Sequence, residues 1–110
     1  MTMDEDFKNQ LSERLRSLNP EKVILFGSYA YGLPHVDSDI DLIVVLRDNF
    51  IPGNYKESMQ VYLKVSTAIR DLKRKTPIDL IVYTKPMYEK LIELGSSFLK
   101  EITSKGINLL

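Results

Sequence analysis

VILFGSYAYGLPHVDSDIDLIVVL, residues 23–46, is the stretch from which the fold is read. An apolar run, Val23-Ile24-Leu25-Phe26, stops at Gly27-Ser28. A polar, turn-rich passage follows, and Asp39-Ile40-Asp41 then opens a second apolar run that lasts to Leu46. Two carboxylates at the mouth of a hydrophobic strand are costly, because a charge beside a dry interior needs a partner. Residues i and i+2 of a strand point to one face, so Asp39 and Asp41 aim the same way, roughly 6–7 Å apart. Like charges held that close repel unless a cation lies between them. The stretch reads as strand, turn, strand, with a metal-binding mouth.

The rest of the chain can be set around that mouth. With 110 residues the expectation is one domain, residues 1–110, and a chain of this length buries about two-thirds of its unfolded surface. Hydrophobic content of 44% and charged content of 27% are ordinary for a globular domain. Fifteen basic and fifteen acidic residues give zero formal charge, which argues against duplex-DNA binding, since that needs a basic surplus. The absence of cysteine excludes disulfides and thiolate metal sites. The opening MTMDEDFK is acidic without an apolar signal core, and no run approaches membrane-spanning length. A cytoplasmic location with no membrane contact is expected.

Phe7, Leu11, Leu15 and Leu18 recur at helical spacing, so residues 4–18 read as a helix that Asn19-Pro20 ends. Residues 21–26 form the first strand. A short helix is expected from Ser28, closed by Gly32, and the second strand covers residues 40–46. After the turn at Pro52-Gly53, the stripe Val61, Val65, Ala68, Leu72 predicts one long helix over residues 55–75. Thr76-Pro77 stops it. A third strand at 78–83, helices at 86–94 and 98–104, and an edge strand at 107–110 complete the reading.

Asp41-Leu42-Ile43-Val44 and Asp79-Leu80-Ile81-Val82 are one tetrapeptide pattern, each with aspartate at a strand start. If both aspartates serve one site the strands run parallel, with the helix at 55–75 as the crossover. The first strand reaches that place with its C-terminal end and must run opposite to the other two. The fold class expected is α/β (α+β), a small mixed sheet with helices packed on it. Gly27, Ser28, Asp39, Asp41 and Asp79 meet at one corner. Three carboxylates suit hard cations, Mg²⁺ or Mn²⁺. Gly27 allows close backbone approach, and a helix start at Ser28 offers N–H groups to an anion. Together these features describe a nucleoside-triphosphate site, where two cations can stabilise an in-line displacement.

Gly27-Ser28, ten residues, then Asp39-Ile40-Asp41 resembles the G-S-x10-D-x-D signature of the DNA polymerase beta superfamily of nucleotidyltransferases. The size and the Gly95-to-Leu110 tail are similar to its minimal nucleotidyltransferase (MNT) branch. The resemblance implies a nucleotidyltransferase fold in which Asp39 and Asp41 hold the metal ions. Asp79 would complete the metal set and help activate the acceptor hydroxyl, while Gly27 and Ser28 hold the β- and γ-phosphates of ATP. It also implies an antitoxin that moves AMP from ATP to a tyrosine of a partner HEPN-domain ribonuclease toxin, in a hetero-oligomer. Many relatives carry arginine after Gly-Ser, where Tyr29 and Tyr31 stand here. Nucleotide affinity without the partner is therefore expected to be modest.

Blander readings stand beside these. Paired aspartates at a strand start are most often solvated turn residues; Gly27-Ser28 upstream at this spacing, and Asp79 in a matching strand, tip the balance. His35, the single histidine, reads as a surface loop residue. Tyr29 and Tyr31 suit packing of the short helix as well as stacking on a base. The basic face Lys64, Arg70, Lys73, Arg74, Lys75 reads as solvated, with docking to an acidic partner or RNA as the alternative. Both alternating sets of the second strand are apolar, so it is either covered on both faces or awaits a partner. Two other functions compete: an antitoxin that inhibits by occlusion without catalysis, and a small-molecule nucleotidyltransferase whose acceptor pocket a dimer would build.

Overall fold

Apart from Asp41, no side chain of the 40–46 run is polar, and such a strand is stable only when covered on both sides. A computed structural model, which describes residues 5–27, 29–30 and 39–110, shows how this is done. The elements are α1 (Glu5–Arg16), β1 (Lys22–Phe26), β2 (Ile40–Leu46), α2 (Tyr55–Ala68), α3 (Arg70–Lys75), β3 (Ile78–Thr84), α4 (Lys85–Glu93), α5 (Ser97–Lys105) and β4 (Ile107–Asn108). The strands lie in the order β3-β2-β1-β4. β2 is parallel to β3 and antiparallel to β1, and β4 pairs antiparallel with β1. The mixed α/β sheet expected from the two Asp-Leu-Ile-Val segments is therefore present.

Strand register sorts the side chains into rows. Leu25, Leu42 and Leu80 form one row on the first face, and Val23, Val44 and Val82 the next. They pack with Leu11 and Leu15 of α1, Val61 and Val65 of α2, Ile69, and Leu72 of α3. On the opposite face Ile24, Ile43 and Ile81 align, covered by Tyr88 of α4 with Leu99 and Ile102 of α5. Each such aliphatic contributes about 1.5–3 kcal/mol by leaving water. A one-residue slip of β2 would send every side chain to the other face, so the register is fixed by two cores at once. The question of a waiting face on this strand is answered: both faces are buried.

Local chemistry starts the helices where the sequence placed them. Asn54 caps α2 by accepting from the Glu57 N–H at 2.9 Å, while the Glu57 carboxylate accepts from the Gly53 N–H at 2.8 Å. Ser96 caps α5 by accepting from the Leu99 N–H at 3.2 Å. The long helix at 55–75 is a correction: it breaks at Ile69 (φ −117°, ψ 17°), giving α2 and α3. No proline or glycine marks the break. Ile69 is wholly buried, and Arg14 of α1 clamps Asp71 with two bonds of 2.6 and 2.8 Å while reaching the Ala68 carbonyl. Tertiary anchoring overrides a helical pattern that is locally unbroken. Helix α1 likewise ends earlier than expected, at Arg16, and Asn19 turns the chain in the left-handed region (φ 49°).

The expected helix at Ser28, and its closure at Gly32, fall outside the described residues. Gly27, Tyr29 and Ala30 belong to a turn in which the Ala30 N–H donates to the Gly27 carbonyl at 3.1 Å. Among the described residues no helix is long and apolar enough to cross a membrane.

Gly106, between α5 and β4, sits where backbone crowds it from two sides. A Cβ there would lie 2.5 Å from the Ile102 carbonyl oxygen, 2.6 Å from Ile24 Cγ2 and 3.1 Å from the Leu25 carbonyl oxygen. Gly106→Ala is expected to cost about 1–3 kcal/mol by overpacking. Urea unfolding at constant m-value measures it, and an unchanged midpoint would contradict the close approach.

Candidate active site

The end of the sheet where β1 finishes and β2 and β3 begin carries a row unlike the others. Phe26 of β1 pairs with Asp41 of β2, and Asp41 pairs with Asp79 of β3. Neighbouring strands lie about 4.8 Å apart, so the two carboxylates stand side by side on one face. That face is the one α4 and α5 cover, but the row lies at its margin: Asp79 is exposed and Asp41 only partly covered. Asp39 is exposed and directly precedes β2, whose first residue is tied to the third strand by the Ile40 N–H donating to the Pro77 carbonyl at 3.0 Å.

Gly27 closes the corner from the β1 side. Its φ of +74° is a conformation that L side chains rarely adopt, and a Cβ there would overlap the Asp41 carboxylate, 3.1 Å from its Cγ. Glycine is needed twice over, for the turn and for the space the carboxylate occupies. Ser28, the other half of the predicted phosphate grip, lies outside the described residues, as do Tyr31 and His35. Tyr29 is partly buried against the first core cluster, which favours the packing reading of that residue over base stacking.

The electrostatics are one-sided. Burial pushes the Asp41 carboxyl above its ordinary value, and the charges of Asp79 and Asp39 push it further the same way. Among the described residues the ion pairs join Arg14 to Asp71, Arg47 to Glu21, Lys64 to Asp48 and Lys105 to Glu101, and none involves the three acids of the corner. The donor set, oxygen anions only, suits Mg²⁺ or Mn²⁺. Among the described residues, however, no three acidic or histidine groups already close into a metal shell. The acids fit a hard cation in kind and in mutual field. Ligands from a substrate would be needed to complete its coordination.

The structure sets Asp41 in register with Asp79, Asp39 directly before β2, and Gly27 against Asp41; the sequence reading expected these residues at one corner and did not single out Phe26. Phe26 ends an apolar run and looks like any core residue. Only the antiparallel register, counted from Gly27 back along β1, sets it opposite Asp41.

Comparison with known proteins follows the same lines. A protein of Methanocaldococcus jannaschii, named by inference a protein adenylyltransferase, is 29% identical over 104 residues, covering 94% of this chain and 92% of its own. Among solved structures, a nucleotidyltransferase so assigned from Sulfolobus solfataricus has a TM-score of 0.57 at 20% identity, covering 94% of this chain and 78% of that one. A toxin–antitoxin complex with AMP-PNP gives 0.55 at 23% identity, covering 94% and 72%. The complex of tri-AMPylated Shewanella oneidensis HEPN toxin with MNT antitoxin gives 0.51 at 20% identity, covering 98% and 72%. At these identities the three structures speak to the fold. The family model described as polymerase beta, nucleotidyltransferase, matches residues 9–110, so this chain belongs to the polymerase beta nucleotidyltransferase family.

Proposed function

We propose that the chain is a metal-dependent protein adenylyltransferase that moves AMP from ATP to a tyrosine of a partner HEPN ribonuclease toxin, and so acts as its antitoxin. The observation that carries the catalytic part is the in-register pair Asp41 and Asp79, with the charge of Asp39 felt at Asp41 and the Asp41 carboxylate against the bare backbone of Gly27. The partner is suggested by the toxin–antitoxin complexes whose fold the chain shares. A single minimal domain working in a hetero-oligomer suits a chain that covers most of those relatives.

Asp39, Asp41 and Asp79 would hold Mg²⁺, one ion or two. Bound there, the cations would neutralise the triphosphate and act as a Lewis acid at the phosphorus. Gly27 lets the backbone of its turn approach the β- and γ-phosphates, with Ser28 as the adjoining hydroxyl. Asp79, the more exposed of the register pair, faces the acceptor and takes the phenol proton as the tyrosine oxygen attacks the α-phosphorus. The new bond joins the phenolic oxygen to phosphorus, and the bond to the pyrophosphate oxygen breaks. The products are AMP-tyrosine and pyrophosphate. With no side-chain cation at position 29, where tyrosine stands, affinity for ATP alone is modest and rises in the complex.

Four outcomes test this reading. The HEPN toxin incubated with the chain, ATP and Mg²⁺ gains mass in whole AMP units, whereas unmodified but inhibited toxin would leave inhibition by occlusion. Asp41→Asn lowers that transfer by about 100-fold or more, since it removes charge at the reacting phosphate. The same substitution raises the Tm of the metal-free chain at neutral pH. The sign follows from the raised pKa of Asp41: the penalty on folding grows as pH rises from the ordinary carboxylate value to the folded-state value, is full above it, and vanishes as acid protonates the group in both states. The gain in Tm should therefore shrink toward about pH 4, and a destabilised variant at pH 7 would contradict the picture of repelling acids. Gly27→Ala costs about 1–2 kcal/mol through its left-handed backbone alone and displaces the Asp41 carboxylate. Calorimetric titration with MgATP should then show weakened binding, and unchanged affinity would place the phosphates elsewhere.

A further inference from the structure

The acid row ends, on the β1 side, in an aromatic pair. Phe26, in register with Asp41, meets Phe98 of α5 edge to face, with ring centroids 5.9 Å apart and planes at 89°. The other large apolar residues of α5 that face the sheet, Leu99 and Ile102, are buried at 0% and 2% exposure, whereas Phe98 remains 45% exposed. Ser96 fixes the start of α5 through its bond to the Leu99 N–H, and so sets Phe98 in the first turn of the helix. Phe98 is thus a half-exposed ring held by a second ring whose residue lies in register with Asp41. The single perpendicular contact and the 45% exposure of Phe98 leave part of its ring open to another flat group.

We propose that Phe98, braced by Phe26, is the stacking wall for a planar ring of a substrate at the carboxylate corner. Two rings come within reach of a phosphate held there, the adenine of ATP and the phenol of the acceptor tyrosine. Both present the same chemistry to Phe98. The inference rests on the corner being a triphosphate site, as proposed above. Phe26 and Phe98 are positioning residues: they touch no reacting atom, and they set where the ring, and with it the phosphorus or the attacking oxygen, comes to rest.

The test uses the whole chain with Mg²⁺, as wild type and as the three variants Phe98→Ala, Phe98→Leu and Phe98→Trp. Calorimetric titration compares AMP-PNP with inorganic tripolyphosphate, and chemical-shift titration follows N-acetyl-tyrosinamide added to the chain saturated with tripolyphosphate. If adenine is the ring, the Ala and Leu variants lose AMP-PNP affinity by about tenfold and Trp retains it, with tripolyphosphate unaffected. If the phenol is the ring, AMP-PNP affinity is constant and the N-acetyl-tyrosinamide shifts vanish in Ala and Leu but persist in Trp. Leucine keeps the apolar cover over Phe26, so a merely structural role would leave the Leu variant equal to wild type in both titrations. That result overturns the proposal. Should tripolyphosphate fail to bind the wild-type chain, the triphosphate reading of the corner falls and this inference falls with it.

Discussion

The parallel pairing that sets Asp41 opposite Asp79 is the constraint from which the rest of the molecule follows. Side by side on adjacent strands, two carboxylates repel, and nothing local to either strand would choose that arrangement. It is imposed by what lies further along the same strands. Leu42 against Leu80 and Val44 against Val82 fill one core, while Ile43 against Ile81 fills the other. Several buried aliphatics, at about 1.5–3 kcal/mol each, outweigh a repulsion between partly solvated charges. The sheet thereby holds the acids in a position they would otherwise leave, and the raised pKa of Asp41 reflects its burial first and then the charges of Asp79 and Asp39.

Much of this was legible from residue order alone, because the repeated Asp-Leu-Ile-Val segment carries its own register. One pattern occurring twice, with a helix between, is a parallel pair; a turn glycine at the end of a third run then makes the sheet mixed. Ile69 shows where such reading stops. Helical periodicity runs through it without proline or glycine, and the break comes from burial of Ile69 and from Arg14, which is distant in sequence and bonds Asp71. Phe26 and Phe98 were equally silent. Their contact joins the first strand to the last helix, and no spacing rule connects residues that far apart.

Charge tells a related story. The chain is neutral as a whole, yet the corner is negative, and the ion pairs of the described residues lie elsewhere. Neutrality of the total is compatible with strong local asymmetry, because screening confines surface fields to about 8–10 Å. Tyr29, next to the corner in sequence, carries no charge and packs against the first core cluster.

Gly27, Asp41 and Asp79 come from three strands, the last of them beyond the α2–α3 crossover. During synthesis a ribosome that has released only the first two strands exposes a glycine bend, Asp39 and Asp41, without the second wall that Asp79 provides. The carboxylate row is thus unfinished until the crossover has been made and the third strand pairs with the second. The corner is completed late, together with the burial of the central strand.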